Sequence, residues 1–376
     1  MLKISGIIFS SLNKNTLSRL TATRTVAAIP FACRYRLVDF CLSNLVNANI
    51  YDISIVANYN YRSLLEHLGS GKDFDLARRA GGINFVSPFQ NISDISEVKM
   101  FSTHLEALRS MYSYIMNSDS DYFILMDSDT VLNIDLKKVV SYHEKRGSEL
   151  TMVTKRIDTA FSSKHPRMMI KSKDGKINDI AMSEKSVSEH EELALGIIVV
   201  GKLYLSQIIE EAMAHNYNSL TRYILRHHKE NEFYTYLFDG YSATVSSFLD
   251  YYKYSMDLVY SDSSRRSLLE ATDKRIYTKI HNSAPKLYKK GATVKNSLLA
   301  DESVIEGTVI NSVIFRGVKI EAGAVVKNCV LFHGTYVGKG AKLNCIVTDK
   351  DVYISENTEL SGSEGLPFYV QKGRRV

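Results

Sequence analysis

The sequence predicts an α/β domain followed by a parallel β-solenoid, with a short helical connector between them. Two different residue patterns along the 376 residues support this prediction. Short β-branched runs alternate with amphipathic stretches up to about residue 250, and from about residue 291 a period of 15 to 17 residues replaces them. A chain of this length suits two domains. We therefore expect domains at 1–250 and 291–376, joined by a connector at 251–290.

The N-terminal part alternates predicted strands and helices. The strands are expected at 53–57, 122–126 and 195–200, and the helices at 61–68, 105–116 and 203–213. This alternation is typical of an α/β domain with a mostly parallel sheet. The connector carries Leu249, Tyr252, Met256 and Val259 at helical spacing.

The C-terminal part repeats a four-residue unit of asparagine, a small residue and two aliphatic residues. The unit begins at Asn296, Asn311, Asn328 and Asn344, with glycine-containing hexapeptides such as 318–323 between the units. An inward aliphatic residue about every six positions, with asparagine or glycine at the corners, is the pattern of a triangular β-solenoid. We expect the tail at 366–371, or a second subunit, to cover the exposed edge of the solenoid.

Composition excludes several classes of protein. The formal net charge is +6, from 47 basic and 41 acidic residues without a run of five basic ones, which does not suggest a nucleic-acid partner. No stretch approaches the roughly 20 apolar residues of a membrane span, so no membrane partner is expected. The opening segment reads as a strand and not as a signal sequence, so we expect a cytoplasmic location. The four cysteines have no metal-site spacing.

Several motifs in the first 80 residues carry a resemblance to a known family. They are LTATR at 20–24, IPF at 29–31, RYRLVDF at 34–40, LSN at 42–44 and HLGSGKDFDL at 67–76. The chain resembles the glucose-1-phosphate adenylyltransferases (ADP-glucose pyrophosphorylases) over nearly its whole length. The resemblance implies a Rossmann-like, GT-A-like nucleotidyltransferase domain with a mixed sheet, followed by a left-handed parallel β-helix.

The nucleotide loop departs from the family pattern. Ser11 stands in a loop that lacks every family glycine, Thr16 stands where the family has an arginine, and Val26 stands where it has a lysine. Glycine is needed in such a loop because a Cβ would keep the backbone amides away from phosphates. A valine cannot supply the cation that phosphoryl transfer demands.

The metal site implied by the resemblance is also incomplete. Asp129 matches the first magnesium-binding aspartate, whereas Val245 stands where the second is expected. One carboxylate holds Mg²⁺ only weakly. We therefore expect no catalytic residues and no required cofactor, with Mg²⁺ relevant only to residual activity.

Two anion-binding features persist in the sequence. Glu184, Lys185 and Gly196 match family positions on the sugar-phosphate side, although Lys185 is equally well explained as a solvated surface residue. The second feature is a group of three arginines near the family's effector pocket, where they would bind phosphate or, alternatively, pair with Asp39 or with acids of the solenoid. These arginines are Arg24, Arg34 and Arg36.

Within the family, the lost site residues make the chain resemble the non-catalytic, GlgD-type branch most specifically. It implies a regulatory subunit in a heterotetramer with a catalytic ADP-glucose pyrophosphorylase subunit, which converts ATP and glucose 1-phosphate to ADP-glucose and diphosphate for glycogen synthesis. A phosphorylated sugar or glycolytic effector is a possible ligand. Two alternatives remain open: an active nucleotidyltransferase with a divergent loop that uses Asp129, and a hexapeptide acyltransferase that uses His333.

Overall fold

A computed structural model describes residues 2–10, 17–88, 100–157, 162–185, 191–270 and 274–376, with side chains at all of these except 162–165. The strands of the N-terminal part are β1 (Ile4–Phe9), β2 (Pro30–Phe31), β3 (Tyr35–Arg36), β4 (Asp52–Val56), β5 (Gly82–Val86), β6 (Tyr122–Asp127), β7 (Thr130–Leu132), β8 (Leu150–Arg156), β9 (Ser162–Lys173), β10 (Lys176–Lys185), β11 (Glu192–Gly201), β12 (Phe233–Leu237) and β13 (Ser242–Thr244).

Helices cover this part of the chain and continue into the connector. They are α1 (Ser18–Thr21), α2 (Leu37–Asn47), α3 (Arg62–Leu68), α4 (His104–Ser110), α5 (Tyr112–Asn117), α6 (Leu136–Arg146), α7 (Lys202–His215), α8 (Leu220–His227), α9 (Phe248–Tyr260) and α10 (Asp262–Leu269), with 3-10 turns at Val26–Ala28 and Lys72–Phe74. None of the described helices is both long and apolar enough to cross a membrane.

Nine strands form one mixed sheet in the order β5-β4-β1-β6-β11-β8-β12-β10-β9. The first four run parallel, and β11 is antiparallel to both β6 and β8. The apolar run of β6 is buried because helices cover both faces of the sheet. One core contains residues of α2, α3 and α6, and the other contains residues of α4, α5, α7 and α8. The result is a three-layer α/β domain.

The C-terminal part consists of three five-stranded parallel sheets, and successive strands visit the three sheets in rotation. The strands are β14 (Leu287–Tyr288), β15 (Thr293–Lys295), β16 (Leu298–Leu299), β17 (Val304–Ile305), β18 (Thr308–Ile310), β19 (Val313–Ile314), β20 (Lys319–Ile320), β21 (Val325–Lys327), β22 (Val330–Leu331), β23 (Tyr336–Val337), β24 (Lys342–Asn344), β25 (Ile346–Thr348), β26 (Tyr353–Ile354), β27 (Glu359–Ser361) and β28 (Phe368–Val370).

Corner residues of the solenoid adopt left-handed backbone conformations. Asn296, Asn311 and Asn328 have φ of 42°, 48° and 52°, as expected for asparagine at a tight corner. In the fourth repeat Cys345 takes this conformation with φ of 52°, because Asn344 is the last residue of β24. The tail covers the edge of β25, as expected, and it does so as an added strand: β28 pairs parallel with β25 and becomes the fifth strand of its sheet.

A third core joins the two domains. It contains Phe31 and Phe40 from the N-terminal domain, Tyr251 from α9, and Phe315 and Phe332 from the solenoid. The Tyr251 hydroxyl donates to the carbonyl of residue 30 at 2.8 Å. Helix α9 is therefore packed between the two domains, and it fixes their relative position through buried aromatic contacts.

Candidate functional site

A cavity of about 300 Å³ lies where β1 and β6 end. We call it the central cleft. In α/β sheets ligands bind outside the carboxyl ends of parallel strands, and this position matches that rule. Its lining is mostly apolar and comprises Phe9, Leu17, Val26, His104, Leu125, Met126, Asp127, Asp129, Thr130, Met152, Pro166, Arg167, Met168, Met182, Ala194, Gly196, Ile198, Leu220, Thr221, Ile224, Val245 and Ser246.

A hydrogen-bonded pair of His104 and Asp127 lines part of the cleft. The histidine Nε2 lies 2.6 Å from the Asp127 Oδ1, and about a third of each side chain (34%) is exposed to the cavity. Burial lowers the pKa of His104, but the charge of Asp127 and the hydrogen bond to it outweigh burial, so the pKa is raised. The contact with Asp127 therefore orients the imidazole and favours its protonated form.

Asp129 and Val245 are neighbours in the lining of the same cleft. Strands β7 and β13 pair antiparallel, and the Val245 amide donates to the Asp129 carbonyl at 2.8 Å. Burial, followed by the charge of Asp127, raises the pKa of Asp129 to about 6. The Thr130 hydroxyl donates to its Oδ1 at 3.2 Å. The isopropyl group of Val245 is buried and offers no ligand atom beside this carboxylate.

These residues do not fit a magnesium ion. In the described part of the chain no group of three histidine, cysteine or acidic residues is placed to hold a metal. Mg²⁺ demands near-octahedral oxygen ligands and is usually held by one or two carboxylates together with substrate phosphates. Here Asp127 is bonded to His104 at 2.6 Å, Asp129 has an elevated pKa and a valine as its neighbour, and the guanidinium of Arg167 lines the same cavity.

The predicted changes in the nucleotide loop fall partly on the cleft. Val26 is buried on the 3-10 turn and lines the cavity, so an apolar side chain stands where the family resemblance places a lysine. Ser11 and Thr16 lie outside the described residues.

The sugar-side residues are divided between two places. Gly196 lines the cleft with φ of 70°, and a Cβ there would lie 2.8 Å from the Asp127 Oδ2. Glycine is therefore required for Asp127 to approach β11. Glu184 and Lys185 are exposed at the end of β10 and do not line the cavity. Met182 of the same strand lines it instead.

A second cavity, of about 680 Å³, lies between the two domains. We call it the interdomain pocket. Six basic side chains line it, Arg34, Arg36, Arg275, Lys279, Arg316 and Lys350, against three acidic ones, Glu66, Glu270 and Asp301. Burial, followed by the nearby charges of Arg36 and Arg24, lowers the pKa of Lys350 to about 8. An excess of crowded cations is the electrostatic setting in which an anion binds.

The three predicted effector arginines separate in the structure. Arg34 and Arg36 line the interdomain pocket, and the Arg36 Nη1 donates to the Ser63 carbonyl at 2.5 Å. Arg24 does not line it. Arg24 is 2% exposed, and its Nη2 lies 2.5 Å from the Oδ1 of Asp349 in the solenoid. The expectation of effector binding by Arg24 is therefore corrected: its guanidinium serves the alternative role, an ion pair with an acid of the solenoid.

His333 also lines the interdomain pocket. Its Nδ1 lies 2.8 Å from the Arg316 carbonyl, a backbone contact that orients the ring. The alternative of an acyltransferase needs an acyl-carrier site beside this histidine. The surrounding basic side chains favour an anion there, and the geometry gives the histidine a structural contact with its neighbouring coil.

Sequence reasoning did not identify several residues of these sites. His104 and Asp127 meet from segments 23 residues apart, and Arg167 reaches the central cleft from β9. Most of the pocket cations come from the connector and the solenoid, so only the tertiary fold brings them together.

Comparisons with known proteins follow the two-domain division. The profile of the nucleotidyl transferase family matches residues 15–241, and the profile of the GlmU-like C-terminal hexapeptide matches residues 282–364. The chain is 34% identical to the glycogen biosynthesis protein GlgD of Bacillus subtilis, over 98% of this chain and 95% of that protein. It is 32% identical to a protein of the same name from Geobacillus stearothermophilus, over 99% and 96%. A glucose-1-phosphate adenylyltransferase of Geobacillus stearothermophilus is 29% identical over 83% of this chain and 80% of its own length.

Proposed function

The chain belongs to the nucleotidyl transferase family, in its GlgD branch, and from this premise we propose that it acts in glycogen biosynthesis as a regulatory subunit with little or no catalytic activity of its own. Its partner is a catalytic glucose-1-phosphate adenylyltransferase subunit, with which it forms a heterotetramer. The reaction supported is the formation of ADP-glucose and diphosphate from ATP and glucose 1-phosphate.

One observation carries the proposal of weak catalysis. Val26 and Val245 both line the central cleft, where the family resemblance places a lysine and a metal-binding aspartate. Removing a single transition-state contact typically slows a reaction about a hundredfold or more, and these two losses act on different charges of the transition state. Neither valine side chain can supply a charge at its position.

The partnership is supported by the occurrence of two types of relative in one organism. Geobacillus stearothermophilus has both a GlgD protein and a glucose-1-phosphate adenylyltransferase that are similar to this chain. A chain retained beside an intact paralogue contributes through assembly. Packing against the partner shifts the partner's equilibrium towards its active state, and the effect equals a coupling free energy between the two subunits.

The interdomain pocket extends the proposal to a ligand. Its excess of cations suits a phosphorylated metabolite, bound through Arg34 and Arg36 on one side and through Arg316 and Lys350 on the solenoid side. A ligand that contacts both walls stabilises one relative position of the domains, which is the change a regulatory subunit transmits to its neighbours.

Two measurements test the proposal. The purified chain with ATP, Mg²⁺ and glucose 1-phosphate is expected to form ADP-glucose far below about 1 per second, the low end of ordinary enzymes. Co-expression with a catalytic paralogue is expected to give a mixed oligomer with raised activity or an altered response to phosphorylated metabolites. Rapid ADP-glucose formation by the chain alone, or separate elution of the two chains with an unchanged rate, contradicts the proposal.

A further inference from the structure

Arg167 is a permanent cation on the wall of the central cleft. It projects from β9, and its Nη1 donates to the Ser246 hydroxyl at 2.5 Å. Arginine stays protonated at all physiological pH values. Among the described residues that line this cleft, no lysine or other arginine accompanies it.

The position of Arg167 relates it to the incomplete metal site. Ser246, which anchors the guanidinium, directly follows Val245, and the Val245 amide is bonded to the Asp129 carbonyl at 2.8 Å. The positive charge of Arg167 acts on the Asp129 carboxylate. The guanidinium is thus anchored on the residue that follows Val245, in the cavity that Asp129 also lines.

We infer that Arg167 is the resident cation of the central cleft and takes the electrostatic place of the divalent ion that the family resemblance implies. The guanidinium, anchored on Ser246, places a positive charge that partly offsets the charge of Asp129, so the cleft does not accept a divalent metal. This inference is separate from the proposed partnership, because it concerns only the charges of one cleft in the isolated chain.

Charge and geometry explain why the two cations exclude each other. A divalent ion beside Asp129 would stand close to a guanidinium anchored on Ser246, and like charges at short range repel strongly in a cavity with apolar walls. The other carboxylate of the cleft, Asp127, is bonded to His104 at 2.6 Å, and Val245 supplies none, so little attraction offsets this repulsion. Restoring a carboxylate at position 245 alone is therefore insufficient, since Arg167 would pair with it.

Direct binding of Mn²⁺, followed by the loss of the free-ion signal in electron paramagnetic resonance, tests the inference on the full chain. The wild type and Val245→Asp are expected to leave the signal unchanged, whereas Val245→Asp combined with Arg167→Met binds Mn²⁺ at least about tenfold more tightly than Val245→Asp alone, a change of about 1.4 kcal/mol. Val245→Asn with Arg167→Met is the control without the new charge. Mn²⁺ binding by the wild type, or equal binding by Val245→Asp with and without Arg167, overturns the inference.

A second measurement avoids placing a charge at the buried Val245 position. Arg167→Met is expected to lower the Tm by about 2 °C or more, since it removes the positive charge that partly offsets the charge of Asp129. In a background of Asp129→Asn the same change is expected to have a much smaller effect. Lys173→Met, at an exposed position of the same strand, is the control. Equal losses in both backgrounds overturn the inference, and neither outcome depends on a partner subunit.

Discussion

The Arg24–Asp349 ion pair joins residues 325 positions apart, from the N-terminal domain and the solenoid. Their side chains are 2% and 4% exposed, and the Arg24 Nη2 lies 2.5 Å from the Asp349 Oδ1. Asp349 also accepts from the Tyr369 hydroxyl and from the Lys350 amide, each at 2.6 Å. Arg24 has one further described bond, to the Leu20 carbonyl at 3.3 Å. Apart from the ion pair, the carboxylate thus has more and shorter hydrogen bonds than the guanidinium.

This asymmetry sets the expected magnitudes. Removing one partner of a buried pair costs about 3 to 5 kcal/mol, because an uncompensated charge stays buried. Asp349→Leu is expected to lower the free energy of unfolding by an amount at the upper end of this range, since Arg24 then keeps a single weak acceptor. Arg24→Met is expected near about 3 kcal/mol, since Asp349 keeps two donors. The double variant replaces the pair by apolar groups and is expected to cost less than either single change.

Urea unfolding measures these free energies. The chain has 23 tyrosines and no tryptophan, so far-UV circular dichroism and tyrosine fluorescence are the suitable probes. Separation of the two transitions in a single variant would show that the domains have lost their coupling. Lys342→Met, which breaks an exposed pair with Glu359 on the solenoid surface, is the control and is expected to leave the midpoint unchanged. Additive effects of the two single changes, or losses below about 1 kcal/mol for each, would refute the reasoning.

Three further predictions follow from single positions. Gly196→Ala is expected to destabilise the fold by about 1 to 3 kcal/mol, because its φ is 70° and the new Cβ meets Asp127. The control is Gly201→Ala in the same strand, where a new Cβ has no neighbour closer than 3.9 Å; its urea midpoint should lie nearer to that of the wild type. Binding of fructose bisphosphate or inorganic phosphate to the interdomain pocket is expected to weaken as pH rises from 7 to 9, because Lys350, with a pKa of about 8, loses its proton in this range. Calorimetry on Lys350→Arg should show binding without this pH dependence. If the pH dependence persists in that variant, Lys350 is not its source. Asn311→Ala is expected to lower stability by about 1 kcal/mol and Asn311→Gly by less, since φ is 48° at this corner; equal losses measured by thermal unfolding would locate the role of the asparagine in its side-chain bonds.

Local patterns predicted the fold well where they repeat or alternate. The asparagine corners of the solenoid could be predicted because each coil places the same backbone conformation in register with the next. The order of the nine strands could not, since β11 inserts antiparallel between β6 and β8 through contacts that no local pattern encodes.

The site residues divide in the same way. Val26, Asp129, Gly196 and Val245 all line the central cleft, because motif positions carry their place in the fold with them. Arg167 was missed, since its relation to Asp129 depends on how β9 folds back over the cleft. For Arg24 the residue was identified, but its partner, Asp349, lies in the other domain and decides its role.

The core between the domains has a consequence for synthesis on the ribosome. Residues near 20–40 pack against solenoid residues such as Phe332 and Val347, which are translated some 300 positions later. At a translation rate of about 5 to 20 residues per second, this apolar surface stays exposed for roughly 15 to 60 s before the solenoid residues that bury it are synthesised. During that interval a nascent chain whose N-terminal sheet has folded still exposes the apolar surface of the core between the domains. We therefore expect chaperones to engage this chain during translation, and truncation within the last coils to yield aggregates.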